Sequence, residues 1–187
     1  MNNLYYLILV VTILIAFFAA GFTRVGAAPT VIIGGAGVLG LAAWLLTTYR
    51  RPAGPRVLPV YYLTVAGLHA HILEEYVAGF PQRMTETFGL ENFTEAPFLV
   101  SIAFVGMTIW ILVGVGLIYR NPLANYLAWF VFMGPGFMEW THYVFPLFEG
   151  GGYHYFPGMW TAWLPMVPGL VGMRLLWREA RRPAGPS

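Results

Sequence analysis

Apolar residues along this chain form long blocks, and short segments rich in Gly, Pro or charged residues separate one block from the next. A transmembrane α-helix needs about 20 predominantly apolar residues, and each block approaches that length. The pattern predicts six membrane-spanning helices, at about 4–22, 30–49, 57–79, 97–119, 123–147 and 158–177. We therefore expect an all-α polytopic membrane protein in which residues 1–187 form a single bundle of six transmembrane helices.

Composition favours a membrane protein and removes several kinds of chemistry. Hydrophobic residues make up 58% of the chain and charged residues only 10%, whereas soluble domains carry about a quarter charged residues. The chain has no cysteine, which excludes disulfides, thiolate nucleophiles and cysteine-ligated metals. A formal net charge of +2 is too small to favour nucleic acid as a partner. The sequence also contains no haem or nucleotide motif.

Charged residues are distributed unevenly across the predicted bundle. With six spans both termini share one side, and most of the Arg residues fall there: Arg50, Arg51, Arg56, Arg120, Arg174, Arg178, Arg181 and Arg182, against Arg24 and Arg83 on the other side. The acids of the connections, Glu86, Glu91, Glu95 and Glu149, fall on that other side. Because cytoplasmic loops are enriched in positive residues, we expect both termini to be cytoplasmic, in a bacterial inner membrane.

The third predicted span contains a histidine and two adjacent glutamates within an otherwise apolar helix. His71 precedes Glu74 by three positions and Glu75 by four, so on a helix the imidazole lies between the two carboxylates on one face. Ionisable groups at membrane depth cost roughly 2.5–3.5 kcal/mol each on insertion scales, so three together need partners or a function. His69 points away from this face, and we expect it to be packed and bonded to the backbone.

The fifth predicted span carries a second pair, Glu139 and His142, three positions apart. Gly134-Pro-Gly136, directly before them, should loosen or kink the helix. At about 1.5 Å per residue, both polar clusters lie at a similar depth in the outward half of the membrane. We therefore expect spans three and five to face each other and to form one site.

Together these residues offer two imidazoles and three carboxylates, the kind of set that helical bundles use to bind one or two metals. We predict a divalent metal, iron, zinc or manganese, bound by His71, Glu74, Glu75, Glu139 and His142. Four of them are also predicted to be catalytic: Glu74, Glu75, Glu139 and His71.

Two outward loops add to this prediction. Glu149 or His154 could complete the metal shell from the second loop. The loops at 80–96 and 149–158 either form a lid over the site or merely cap the bundle.

The same residues permit two further interpretations. In a metal-free site, carboxylates crowded in a low dielectric can remain protonated, so Glu74 or Glu75 would act as the acid while His71 or His142 relays protons. Isomerases and cyclases of sterol-like or isoprenoid lipids use such chemistry. Alternatively, the protein is a non-catalytic membrane subunit whose buried His–Glu pairs only hold helices together.

At His71-Ile-Leu-Glu74-Glu75 the chain resembles the bacterial membrane protein family named for its HXXEE motif, with a later Glu/His pair at Glu139 and His142. The resemblance implies a small multi-span membrane protein and leaves the reaction open. A looser analogy connects the chain to the emopamil-binding-protein-like sterol isomerases, which also combine a few short spans with intramembrane His and Glu residues.

These observations predict an integral membrane enzyme, a metal-dependent hydrolase or oxidoreductase, that acts on a lipophilic substrate entering from the bilayer. Its partners would be the membrane and a lipid or other hydrophobic small molecule. The second predicted span is rich in Gly, which also permits a homo-oligomer.

Overall fold

The computed structural model describes residues 3–24, 26–90 and 93–181, and these residues are mostly helical, without a β-strand among them. The prediction of an all-α fold is therefore confirmed for this part of the chain. Glu91 and Arg182, which enter the charge argument, lie outside the described residues.

The helices follow one another with short connections. In chain order they are α1 (Asn3–Arg24), α2 (Ala27–Leu46), α3 (Leu58–Val77), α4 (Phe80–Phe88), α5 (Glu95–Phe98), α6 (Met107–Ile118), α7 (Pro122–Phe137), α8 (Thr141–Val144) and α9 (Trp163–Ala180). A π-helical segment, Leu99–Gly106, connects α5 to α6, and 3₁₀ turns occur at Pro55–Val57, Met138–Trp140 and Phe145–Phe148.

Two of the helices described, α1 and α2, are long and apolar enough to cross a membrane, judged by length and composition. The sequence predicts six spans, and the other four segments are helical but fall short in length or in apolar character. The helix α3 contains two histidines and two glutamates, and α9 contains Arg174 and Arg178. The fourth segment is divided by its π-helical part, and α7 ends at Phe137.

The helix α7 lies at the centre of the fold, where it contacts α1, α2, α3, α6 and α9. Glycines allow the closest of these approaches. A Cβ atom on Gly136 would lie 2.9 Å from the backbone of Gly169 in α9, and one on Gly67 of α3 would lie 2.6 Å from the carbonyl oxygen of Leu164. Small residues at these crossings therefore hold α3, α7 and α9 together at short distance.

The apolar interior has two parts. One surrounds the fully buried side chains of Trp44, Tyr61, Trp129 and Phe132, between α2, α3 and α7. The other consists mainly of aromatic side chains from the second half of α3 onward, Phe80, Phe98, Phe145 and Phe156 among them. The buried polar residues that the sequence singles out lie beside this second part, because the ring of His142 is 5.3 Å from that of Phe80 and 5.7 Å from that of Phe145.

Candidate metal centre

The first half of the site comes from one face of α3. His71 and Glu75 lie one helical turn apart, and both are buried. Residues at i and i+4 project from the same side of an α-helix, so the helix alone brings the imidazole and the carboxylate to the same surface. The other histidine of this helix, His69, is directed elsewhere: its Nδ1 bonds to the carbonyl of Val65 and its ring contacts Trp110. The prediction that His69 is packed and backbone-bonded is confirmed.

The second half of the site follows the end of α7. Pro135 lies inside this helix, and Phe137 at its end has left the helical conformation, with φ −133°. The chain then continues as a 3₁₀ turn and the short helix α8, so Glu139 and His142 belong to a tight irregular turn rather than to one continuous helix. The turn still directs both side chains toward each other, with Nε2 of His142 at 3.2 Å from Oε2 of Glu139.

The tertiary structure brings the two halves together. Nε2 of His71 lies 3.2 Å from Nε2 of His142 and 3.0 Å from Oε2 of Glu139. Oε1 of Glu75 lies 3.7 Å from Nε2 of His71 and 3.4 Å from Nε2 of His142. Each of the two carboxylate oxygens therefore lies within 3.7 Å of both imidazole nitrogens.

The separations of the two imidazole nitrogens from each other and from the two carboxylate oxygens suit a single metal ion. In a tetrahedral site with metal–ligand distances of about 2.0–2.1 Å, neighbouring ligand atoms are about 3.3–3.4 Å apart. The separations observed here run from 3.0 to 3.7 Å. Three of the residues, His71, Glu75 and His142, form a buried group whose ligand atoms could hold a metal ion.

Each imidazole uses its other nitrogen for a hydrogen bond outside the cluster. Nδ1 of His142 is 2.7 Å from the carbonyl oxygen of Pro157. A carbonyl only accepts hydrogen bonds, so Nδ1 carries the proton, and in the neutral ring Nε2 presents its lone pair to the cluster. Nδ1 of His71 is 3.2 Å from Oγ1 of Thr161. Metal-binding histidines are held by such outer contacts.

The charge of the cluster needs compensation. Among the described residues, the ion-pair partners of Glu75 and Glu139 are the two histidines, and no Arg pairs with either carboxylate. Two carboxylates and two imidazoles placed in an apolar interior require a positive charge between them. A bound metal ion or protons on the imidazoles would supply it.

Glu74, a predicted ligand, is not placed in this cluster. Its carboxylate instead accepts hydrogen bonds from the segment that precedes α9: from the hydroxyl of Tyr155 at 2.6 Å, from the backbone N–H groups of Trp160 and Thr161 at 3.1 and 2.7 Å, and from the hydroxyl of Thr161. Neighbouring residues of a helix point about 100° apart. Consequently Glu75 faces the turn after α7, while Glu74 faces this segment.

Glu149 and His154, the other proposed ligands, form a separate group near α4. Glu149 accepts a hydrogen bond from Thr87 at 2.6 Å, is paired with Arg83 at 3.2 Å, and contacts His154 through its second oxygen. Although burial by itself raises the pKa of Glu149, the hydrogen bonds from Thr87 and His154 and the charge of Arg83 outweigh it and hold the pKa below its usual value. A polar cavity of about 510 Å³ adjoins this group and is lined by Arg83, Thr87, Glu149 and His154, so the group lies apart from the cluster of His71, Glu75 and His142.

The segment 155–162 supplies site residues that sequence reasoning did not identify. Pro157 and Thr161 bond the two imidazoles, and Gly158 lies against them. A Cβ atom on Gly158 would lie 2.8 Å from Cε1 of His71 and closer still to the ring of His142, and the φ of this residue is +95°. The Pro157-Gly158 pair was the available signal in the sequence, since a backbone that must approach side chains closely needs glycine.

No protein-family model, no curated protein and no solved structure matches this chain. The resemblance to the HXXEE family and the analogy to emopamil-binding-protein-like isomerases therefore stay predictions.

Proposed function

We propose that this protein is an integral membrane enzyme that acts on a lipophilic substrate with a divalent metal bound by His71, Glu75, Glu139 and His142. The observation that carries the proposal is that the two Nε2 atoms lie 3.2 Å apart and that each lies 3.0–3.7 Å from both carboxylate oxygens. At the same time both Nδ1 atoms are engaged outside the cluster, so the two Nε2 atoms are the nitrogens available to a metal.

The ligand chemistry favours iron, zinc or manganese. Imidazole and carboxylate donors suit these metals, and without thiolate ligands copper(I) is disfavoured. Such an ion, when bound, activates water or oxygen, so a hydrolase or an oxidoreductase fits best. Glu74 is then not a metal ligand, because both of its oxygens accept hydrogen bonds from the segment 155–162.

A membrane setting and a lipophilic substrate are supported by the surface around the site. The side chain of Glu139 is 16% exposed, whereas those of His71 and His142 are 1% and 4% exposed, so the cluster is most open at Glu139. Two residues near Glu139 in the chain, Phe137 and Trp140, are large, apolar and more than half exposed. A hydrophobic molecule could approach from the bilayer on this side.

Two apolar helices, α1 and α2, could anchor the chain, and a bundle of six spans with cytoplasmic termini in a bacterial inner membrane remains our proposal for its topology. The Arg asymmetry of the sequence supports that orientation.

A metal-free enzyme is the second candidate, and one distance favours it. Nε2 of His71 lies 3.0 Å from Oε2 of Glu139, which is also the length of an N–H···O hydrogen bond. With protons in place of a metal, the buried Glu75 would be the acid and the histidines the relay of an isomerase or cyclase acting on isoprenoid or sterol-like lipids. In the third interpretation the same pairs only fix the helices.

Elemental analysis of detergent-purified, untagged protein tests the proposal. We expect near-stoichiometric iron, zinc or manganese in the wild type and its loss in the Glu139→Ala/His142→Ala double variant. His69→Ala is the matched control, since this histidine of α3 bonds to its own helix and should leave the metal content unchanged.

Wild-type protein without metal, after expression in supplemented medium, would contradict metal dependence and direct attention to proton transfer on lipids. If a Glu139→Gln variant is less stable than the wild type and neither protein shows metal or activity, the purely structural interpretation stands.

A further inference from the structure

We propose that Glu74 is a positioning residue: through Thr161 it fixes the tautomer of His71, so that Nε2 of His71 is the nitrogen presented to the metal. This inference rests on the proposed metal site and gives the two adjacent glutamates of α3 different roles: Glu75 is a ligand, and Glu74 orients the ligand His71. The juxtaposition that carries it is the contact of one hydroxyl, Oγ1 of Thr161, with both Glu74 and His71.

The hydroxyl proton of Thr161 has a defined acceptor. A carboxylate only accepts hydrogen bonds, so the contact between Oγ1 of Thr161 and Oε2 of Glu74 directs the hydroxyl proton to Glu74. The backbone N–H of Thr161 bonds to the same oxygen at 2.7 Å. The position of Thr161 relative to the carboxylate is thereby fixed at two points.

The direction of the second hydrogen bond follows from the first. A hydroxyl has one proton, and once it is donated to Glu74, Oγ1 of Thr161 can only accept from Nδ1 of His71, 3.2 Å away. Nδ1 then carries the imidazole proton and Nε2 keeps its lone pair, directed at His142 and Glu139. Carboxylates that hold a metal-binding histidine from outside the ligand set act in this way on the metal affinity.

The other histidine reaches the same state by a different route. Nδ1 of His142 donates to the backbone carbonyl of Pro157. The segment 157–161 thus supplies both acceptors, a carbonyl for His142 and a hydroxyl for His71. Only the acceptor of His71 depends on a side chain, which makes it open to mutation.

A purely structural role for Glu74 predicts a different response. In that case the carboxylate would only attach the segment 155–161 to α3. Loss of any one hydrogen bond to Glu74 would then have the same effect on metal affinity. Tyr155→Phe removes such a bond without affecting a contact of His71, since the Tyr155 hydroxyl bonds to Glu74 and not to His71. Thr161→Val removes the hydroxyl that connects Glu74 to His71, while the backbone N–H of residue 161 still bonds to Glu74.

Nitrogen NMR of the imidazoles in metal-free protein, at a pH high enough to leave the rings neutral, tests the tautomer directly, and the chain has only four histidines to assign. We expect His71 protonated at Nδ1 in the wild type, in Thr161→Ser and in Tyr155→Phe. In Thr161→Val and in Glu74→Gln, whose amide can donate to Oγ1 of Thr161, we expect the population with the proton on Nε2 to increase.

Zinc titration of the same proteins provides the second readout. Loss of a supporting partner outside the ligand set typically lowers metal affinity by roughly 10–100-fold, and we expect that loss in Thr161→Val and Glu74→Gln but not in Thr161→Ser or Tyr155→Phe. An unchanged tautomer in Thr161→Val, or equal affinity losses in Tyr155→Phe and Thr161→Val, would overturn the inference. Failure of the wild type to bind any metal would instead refute the proposed metal site, and the NMR result would still decide whether Glu74 sets the tautomer.

Discussion

Nε2 of His71 and Nε2 of His142 lie 3.2 Å apart, although 71 positions separate the two residues in the chain. The rings are nearly perpendicular, with an angle of 88° between their planes. They form a T-shaped contact instead of a stack, and Glu75 and Glu139 lie against the same two nitrogen atoms. Such a contact between two potential lone pairs is stable only with a cation or a proton between them. The following predictions test what holds this contact in place.

Substitution of Gly158 by alanine should disrupt the proposed metal centre. The new Cβ would overlap the rings of both histidines, and the φ of +95° is strained for any side chain. We expect a loss of about 1–3 kcal/mol in the free energy of unfolding together with loss of bound metal. Thermal unfolding and elemental analysis measure the two effects.

Gly150→Ala is the control for this substitution. A Cβ at Gly150 meets nothing within 4 Å, so stability and metal content should stay close to wild type. Full metal content in Gly158→Ala would show that the segment 155–162 is not held against the histidines as described here.

Substitution of Gly67 by alanine should separate α3 from α9. Its Cβ would lie 2.6 Å from the backbone oxygen of Leu164, which cannot move without moving the helix start. Overpacking of this kind costs about 1–3 kcal/mol, and chemical denaturation should show it. Gly35→Ala offers the comparison, because its Cβ would make only an ordinary contact at 3.5 Å with Met138. Equal stability of the two variants would contradict the close crossing.

Much of this architecture could be predicted from the sequence. The apolar blocks indicated an all-α fold, and the spacing of His71 and Glu75 indicated one helical face. Gly134-Pro-Gly136 indicated a loosened or kinked helix, whereas the helix α7 ends directly after it, at Phe137. The separate roles of Glu74 and Glu75 could not be predicted, because helical periodicity places both near His71 and only the neighbouring segments distinguish them.

Tyr155→Phe should loosen the segment before α9 without altering the cluster itself. The hydroxyl donates to Glu74 at 2.6 Å, and burial together with this hydrogen bond raises the pKa of Tyr155 to about 12. The donor therefore persists throughout the neutral range. We expect faster hydrogen exchange at the amide of Trp160, which bonds to the same oxygen of Glu74 as Tyr155 does, and a stability loss of roughly 1 kcal/mol.

Tyr153→Phe removes a hydroxyl from the same loop and serves as the matched variant. Tyr153 donates to the carbonyl of Tyr143 and has no bond to Glu74, so exchange at residues 160 and 161 should not change. Similar exchange in both variants would argue against the attachment through Glu74.

Acidification should weaken the group around Glu149. The pKa of Glu149 is lower in the folded protein than in the unfolded chain, so the unfolded chain takes up the proton first as the pH falls. The stabilisation is complete at neutral pH and is lost as the pH falls below the usual glutamate value of about 4.3. In thermal unfolding, the wild type should exceed Glu149→Gln in stability at pH 7 and by less at pH 3.

The exposed Glu86 provides the reference for this titration. Its side chain is 68% exposed, so Glu86→Gln should differ little from the wild type at either pH. A stability difference between wild type and Glu149→Gln that does not vary with pH would contradict the role of the ionised carboxylate.

Removal of metal should destabilise the wild-type protein. A ligand that binds only the folded state adds about 2.7 kcal/mol of stability at a hundred times its dissociation constant. Chelation should therefore lower the unfolding temperature of the wild type. It should leave the unfolding temperature of His142→Ala unchanged, because this variant lacks one of the proposed ligands. An unfolding temperature of the wild type that is insensitive to chelator and to added iron, zinc or manganese would count against the metal centre.

The sequence by itself determined the helical class and the chemistry-bearing residues of this protein. Both follow from local rules. Apolar blocks predict the helices, and ionisable residues within them indicate a functional site, because placing such groups in an apolar environment costs free energy. Only the tertiary structure decided which of those residues meet. The selection of Glu75 over Glu74, and of Thr161, Pro157 and Gly158 as supports for the histidines, depends on how a loop and a helix start pack across α3. Contacts between residues so distant in the chain arise from packing. The spacing of residues along one helix does not predict such contacts.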